Sequence, residues 1–250
     1  MTTGTLHGKV AIVTGGARGV GRGIALALGR AGAKLAIADL LSADEVVTRL
    51  GADDAFASVC DIRSSANVNA FVAEVADRFG TVDILVNNAI ATTIAPIAEI
   101  DDEGIELSLS TGPAATLYFM RACYPHLADG GDGRVINLRS GSESQGLRGH
   151  AAYIAAKAAI GGITRVGARE WGRAGITVNA ICPFALSEGS GQEFAARPGL
   201  LDSVLRQLSI PRTGDPEHDI GRAVVFLAAP ESGFITGCTL MVDGGGSFFA

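Results

Sequence analysis

The chain has 250 residues, 48% hydrophobic and 18% charged, which supplies a sizeable core and makes disorder an unsuitable reading. Its net charge of −6 argues against non-specific binding to nucleic acid or to an anionic membrane. Glycine, with 34 residues, runs at roughly twice the ~7% norm without a collagen period.

In chain order, short aliphatic runs at Val10–Thr14, Leu35–Ala38, Ala55–Val59, Ile84–Val86, Val135–Leu138, Val178–Ile181 and Leu240–Val242 read as strands. Most are continuously apolar rather than alternating, the pattern of strands buried on both faces, so a parallel sheet is expected. Helical patterns lie between them, near 20–31, 43–50, 65–79, 99–127, 152–172 and 217–229. Alternation of this kind predicts a doubly wound α/β fold. No internal repeat, low-complexity segment or linker interrupts it, so residues 1–250 read as a single domain. The long connection 183–215 reads as a lid over a ligand site, with one short helix around 201–208. Cysteines 60, 123, 182 and 238 form no CxxC pair and sit in or beside apolar stretches, as free thiols do. The start, MTTGTLHGKV, lacks an apolar signal core and no run is long enough to span a membrane, so a cytoplasmic protein is expected. The four histidines are scattered without metal-ligand spacing, and no metal is expected.

The first strand runs into Thr14-Gly15-Gly16-Ala17-Arg18-Gly19-Val20-Gly21, and a helix follows at once. Glycines there let the backbone turn sharply and approach a diphosphate lying on the helix N-terminus. Asp39 ends the second strand, 18 residues beyond Gly21, where a carboxylate can accept hydrogen bonds from an adenosine ribose and repel a 2′-phosphate. That favours NAD over NADP; Arg18 points weakly the other way, but no Arg or Lys follows in Leu40-Leu41-Ser42. Asp61, followed by Ile62, is placed either to hydrogen-bond an adenine amino group or simply to make a strand-end turn. Asn87-Asn88-Ala89 closes the fourth strand, where the amides either tie neighbouring loops along the cofactor cleft or serve as turn residues.

Tyr153-Ile154-Ala155-Ala156-Lys157 lies in a helical pattern, and its i, i+4 spacing puts both side chains on one face. A lysine there is expected to lower the phenol pKa and fit it for proton transfer to an alcohol or carbonyl oxygen. Ser140, 13 residues earlier at the end of the fifth strand, can hydrogen-bond the same oxygen.

TGGARGVG, NNA, Ser140 and YIAAK stand in order, and together the chain resembles the short-chain dehydrogenase/reductase family over essentially its whole length, to Val242-Asp243-Gly244-Gly245. The resemblance implies a Rossmann-type sheet of seven parallel strands flanked by helices and a nicotinamide cofactor. It implies Tyr153 as general acid/base, Ser140 as donor to the substrate oxygen, and Lys157 as both ribose ligand and assistant to the tyrosine. It also implies a homotetramer or homodimer, built through helices equivalent to 99–127 and 152–172. The expected cofactor set is Gly15, Arg18, Gly19, Val20, Gly21, Asp39, Asp61, Ile62, Asn88, Ala89, Tyr153, Lys157, Leu186 and Ser187.

Three positions depart from the family pattern. Gly112, followed by Pro113, stands where the family usually has Asn; Ile90 follows NNA where Gly is usual; Phe184 follows Pro183 where Gly is usual. Ser187 could replace the usual Thr that binds the nicotinamide amide. The expected pocket residues, Ile90, Gly141, Ser142, Leu147, His150, Phe184 and Leu186, are mainly apolar. The reading is an NAD-dependent oxidoreductase that interconverts a secondary alcohol and a ketone of neutral, apolar or cyclic type. The alternatives are a catalytically impaired NAD-binding sensor or assembly protein, and a 3-oxoacyl reductase.

Overall fold

The computed structural model describes residues 4–186, 191, 194–195 and 197–248. Its strands are β1 (Val10–Thr14), β2 (Lys34–Asp39), β3 (Ala55–Val59), β4 (Ile84–Asn87), β5 (Arg134–Leu138), β6 (Thr177–Pro183) and β7 (Thr239–Val242). They form one seven-stranded sheet in the order β3-β2-β1-β4-β5-β6-β7, every pair parallel. The order reverses between β1 and β4, which opens a crevice at the carboxyl ends of those strands.

Both faces of the sheet are covered, which is why the strands read as continuous apolar runs. On β1, Ala11 and Val13 face a layer with Ile24 and Leu28 of helix α1 (Gly19–Arg30) and Val224 and Leu227 of a C-terminal helix (Arg222–Ala228). Val10 and Ile12 face the opposite layer, with Phe71 and Val75 of one helix (Ser65–Phe79) and Phe119 and Cys123 of another (Ala115–Asp129). The predicted strands hold to within two residues at either end, and the helix expected over 65–79 starts and stops as read. Ser64 caps its start by accepting from the Asn67 N–H at 3.3 Å, and Gly80, at φ +88°, ends it.

The expected single helix over 99–127 is a broken one. Helix α4 spans Asp102–Leu109, capped by Asp101, whose carboxylate accepts from the Gly104 N–H at 2.8 Å. A π-helical turn follows at Ser110–Ala114, and α5 runs from Ala115 to Asp129. Pro113 sits inside the π turn and has no N–H to give, so one rung of the ladder is missing there. The last expected helix likewise opens with a π-helical turn, Pro216–Gly221, before Arg222–Ala228. In the connection after β6, a helix at Leu200–Leu205 stands near the expected 201–208. The four cysteines are free, three of them buried. Among the described residues, no helix is long and apolar enough to cross a membrane and no cluster of ligating side chains could hold a metal ion.

Candidate active site

The glycine-rich turn is built by close approach. Gly15 (φ +67°) and Gly19 (φ +55°) take left-handed backbone conformations that favour glycine. A Cβ on Gly21 would stand 2.0 Å from the Gly15 carbonyl oxygen and 2.5 Å from Asn88 Nδ2. Helix α1 starts at Gly19; Arg18 is its N-cap residue but provides no side-chain cap, and its first turn has no acidic residue. The N–H groups of Gly19, Val20 and Gly21, with the positive end of the helix dipole, therefore suit an anionic group.

Asn88 ties this turn to β4, and its role as a tie goes beyond turn chemistry. Its Nδ2 donates to the carbonyls of Thr14 (2.8 Å) and Gly15 (3.1 Å). Thr14 Oγ1 in return accepts the backbone N–H groups of Asn88 and Ala89, both at 3.0 Å. Sequence reasoning passed over this use of Thr14, since a threonine at a strand end gives no sign of which loop it will meet. Neighbouring Asn87 points elsewhere, donating to Asn137 Oδ1 at 2.8 Å; Asn137 donates to Thr164 Oγ1 at 3.0 Å. That buried chain pins β4 and β5 to helix α7 (Ala151–Trp171).

Asp39 ends β2 beside the turn, accepting the N–H groups of Ala17 and Leu41, each at 3.0 Å. Asp61 lies past β3, but its carboxylate is already held by Arg63, whose Nη2 donates at 2.7 Å and Nε at 3.0 and 3.1 Å. The Arg63 hydrogen bonds hold the Asp61 carboxyl below its usual range. Ile62 beside it is buried. The left-handed glycines, the open helix start and a carboxylate at the end of β2 fit a dinucleotide's diphosphate and adenosine ribose.

Ser140, Tyr153 and Lys157 come together at the carboxyl end of β5. The Ser140 hydroxyl lies beside the Tyr153 phenol; it donates to Ser142 Oγ at 3.0 Å and accepts the Ser142 N–H at 3.2 Å. Lys157 Nζ lies 5.8 Å from the centre of the Tyr153 ring and donates to the Leu138 carbonyl at 2.7 Å. The expectation that the lysine lowers the phenol pKa is corrected here. Burial pushes Tyr153 up by more than the Ser140 hydroxyl pulls it down, so the phenol stands above its usual value rather than below it. The shared helix face was read correctly, but the ammonium turns to a carbonyl rather than to the phenol oxygen. His150, whose ring packs edge-on to Tyr153 at 6.2 Å, does reach the site.

Burial also lowers Lys157 to about 8. Below that pH the folded protein bears the full cost of a buried ammonium. Between about 8 and the ordinary 10.5 the folded lysine is neutral while the unfolded one stays protonated, so its contribution to stability rises with pH. Lys157→Met should therefore melt higher than the parent protein near neutral pH, with an advantage that shrinks as pH rises from about 8 toward 10.5. A melting-temperature gap that stays constant over that range would contradict the account.

Gly112 and Ile90, two of the departures from the family pattern, are neighbours. A Cβ on Gly112 would stand 3.1 Å from Ala156 Cβ and 3.3 Å from Ile90 Cδ1. Ile90 therefore limits the room for any side chain at 112. Gly112→Asn should cost about 1–3 kcal/mol by overpacking, and adding Ile90→Gly should recover part of that loss. Thermal melts of the two single variants and the double variant test the coupling; strictly additive effects would count against it.

Beyond β6, the Phe184 N–H donates to the Val242 carbonyl at 3.0 Å, and Gly214 N–H donates to the Phe184 carbonyl at 3.0 Å. Phe184 lines a cavity of about 540 Å³ with Ile210, Met241 and Asp243, on the β7 side of the sheet. Leu186 is half-buried, Leu147 is exposed, and Ser187 lies outside the described residues.

A Rossmann-like sheet with this turn at its switch point is the architecture of a dinucleotide-binding protein. Residues 15–247 match a family model described as enoyl-(acyl carrier protein) reductase. The chain is 37% identical to a 12alpha-hydroxysteroid dehydrogenase of Clostridium sp., over 97% of this chain and 98% of the relative. It is 37% identical to a sorbitol dehydrogenase of Cereibacter sphaeroides, over 96% of this chain and 98% of the relative. A solved structure of a short-chain dehydrogenase/reductase from Brucella melitensis, titled as a glucose/ribitol dehydrogenase, matches with a TM-score of 0.91 at 26% identity over 100% of both chains. The chain belongs to the short-chain dehydrogenase/reductase family of oxidoreductases.

Proposed function

We propose that the protein is an NAD(H)-dependent oxidoreductase that interconverts a secondary alcohol and a ketone. The observation that carries the reading is the meeting of Ser140 with Tyr153 and Lys157, which stand one helical turn apart on α7 with Lys157 Nζ 5.8 Å from the Tyr153 ring. Bound nicotinamide would supply or accept the hydride. Ser140 holds the substrate oxygen and Tyr153 exchanges its proton with it, while Lys157 serves the nicotinamide ribose and supports the tyrosine. Gly15, Arg18, Gly19, Val20 and Gly21 hold the diphosphate; Asn88 and Ala89 line the cleft. Leu186 and Ser187 serve the nicotinamide end, and Asp61 and Ile62 the adenine. Arg63 brings three N–H donors to the Asp61 carboxylate, from its backbone, Nε and Nη2, which leaves about one of its roughly four acceptor sites for an adenine amino group.

Asp39 supports NAD over NADP, because a carboxylate at the end of β2, held against the Ala17 N–H of the glycine-rich turn, would repel a 2′-phosphate. A neutral apolar or cyclic substrate fits the apolar side chains of Leu147, Phe184 and Leu186. The hydroxysteroid dehydrogenase relative supports that class, while the sorbitol dehydrogenase relative makes a polyol the comparison to run. Residues 1–250 work as one catalytic domain in this reading, with 183–215 as its lid. Exposed Leu117, Tyr124 and Val166 on α5 and α7 support assembly into a homodimer or homotetramer through those helices.

The test is a binding titration of NAD, NADH, NADP and NADPH, then turnover on a panel of cyclic alcohols, hydroxysteroids, polyols and 3-oxoacyl thioesters. Tighter NAD(H) binding with turnover of cyclic alcohols is the expected result. Preference for NADP(H) would overturn the Asp39 argument and favour the 3-oxoacyl reductase. Nucleotide binding with no turnover on the whole panel would favour a sensor or assembly role.

A further inference from the structure

Behind Ser140 lies an ion pair that sequence reasoning did not single out. Arg139 and Glu143 have side chains only 10% and 6% exposed. The guanidinium grips the carboxylate with two nitrogens, Nε to Oε1 at 3.2 Å and Nη2 to Oε2 at 2.5 Å. Its third nitrogen, Nη1, donates to Thr239 Oγ1 of β7 at 2.7 Å, and the Arg139 backbone N–H donates to the Ile181 carbonyl of β6 at 2.9 Å. The pair is thus anchored to two further strands of the sheet.

The carboxylate does more than neutralise the arginine. Glu143 Oε1 also accepts the backbone N–H of Ser140 at 3.2 Å, and the Glu143 N–H returns to the Ser140 carbonyl at 3.3 Å. The main chain of Ser140 is closed into a ring with the residue whose side chain the arginine fixes. Helix α7 leaves room for this at Gly161, one turn beyond Lys157, where a Cβ would stand 2.6 Å from Arg139 Cζ. From the other side the C-terminal loop closes in, for a Cβ on Gly141 would stand 2.1 Å from Ser247 Oγ.

We propose that Arg139 and Glu143 are positioning residues, which hold the Ser140 main chain so that its hydroxyl stays on Tyr153 and which place a fixed negative charge beside the Tyr153–Lys157 pair. The inference rests on the roles given to Ser140 and Tyr153 above. A buried ion pair by itself contributes little net stability, and two apolar side chains often serve as well. An apolar pair, however, has no acceptor for the Ser140 N–H. The charged and titratable groups that act on Tyr153 and Lys157 are Cys182 on β6 and Glu143 after β5; the His150 ring packs against Tyr153, and Arg139 and Asp243 act in turn on Cys182. Cys182 and then Glu143 both act to raise the phenol and the ammonium, and removing the Glu143 charge lowers both.

Two variants separate positioning from stability. Arg139→Met/Glu143→Leu fills the space with apolar atoms; it should melt close to the parent protein yet lose at least about tenfold in kcat, a loss of roughly 1.4 kcal/mol in transition-state stabilisation. Glu143→Gln keeps an acceptor for Ser140 but no charge. In it, the 13Cζ resonance of Tyr153, assigned among the three tyrosines by Tyr153→Phe, should titrate at lower pH, and the pH limb of alcohol oxidation should move the same way. A double variant that folds with kcat within twofold of the parent, or an unmoved Tyr153 titration in Glu143→Gln, overturns the inference. If the double variant does not fold, the Glu143→Gln titration decides alone. The titration needs no substrate, so a shifted Tyr153 in a protein inactive on the whole panel supports the inference and overturns only the reading of the reaction.

Discussion

Tyr153→Phe is expected to lower turnover by roughly 100- to 10,000-fold, the range a positioned general acid/base contributes, while nucleotide affinity changes far less. The phenol oxygen is the atom on which the proposed chemistry turns. It belongs to a half-buried side chain beside Ser140 and is pushed up in pKa by its surroundings, so in the resting protein it holds its proton. Phenylalanine keeps the ring in its edge-on packing with His150 but removes the proton and the Ser140 contact. Comparing kcat with the nucleotide Kd measured by fluorescence titration checks the point. A variant that keeps a tenth or more of the parental kcat would remove Tyr153 from the mechanism.

Gly21→Ala is expected to weaken nucleotide binding by roughly 100-fold and to cost about 1–3 kcal/mol of stability. The new Cβ would stand 2.0 Å from the Gly15 carbonyl oxygen, and real Cβ contacts essentially never fall below 3.0 Å. The opposing atom is backbone and cannot swing aside, so the start of α1 must move by about 1 Å relative to Gly15. That motion displaces the N–H groups of Gly19, Val20 and Gly21 from the place where a diphosphate would meet them. It also strains Asn88, whose Nδ2 would stand 2.5 Å from the same atom. Isothermal titration with NAD together with a thermal melt reads both effects, and unchanged affinity would place the diphosphate elsewhere.

Much of the architecture was legible in the order of residues, because buried parallel strands leave unbroken apolar runs. Val10–Thr14 and Ala55–Val59 could be bounded from the sequence, and so could the helix from Ser65 to Phe79, whose Ser64 cap and terminal Gly80 mark its ends. The spacing of Tyr153 and Lys157 and the run from Thr14 to Gly21 pointed to the proposed site residues for the same reason: chemistry that depends on neighbours in the chain is written in the chain. The start of helix α5 was less readable, since the period continues on both sides of Pro113 and a missing N–H marks a disturbed helix without saying that it takes the form of a π turn.

What the sequence by itself determined is the local part of this protein: which segments turn apolar faces inward, where the backbone needs glycine, and which side chains share a helical face. Only the tertiary structure decided what those side chains meet. It turned Lys157 to the Leu138 carbonyl, gave Asp61 to Arg63, set Ile90 against Gly112, and brought Arg139 across to Thr239, 100 residues away in the chain. The physical reason is that hydrogen bonds and charges are settled by distance and burial in three dimensions. Periodicity along one strand or helix records which face a residue occupies, and it carries no record of the element packed opposite.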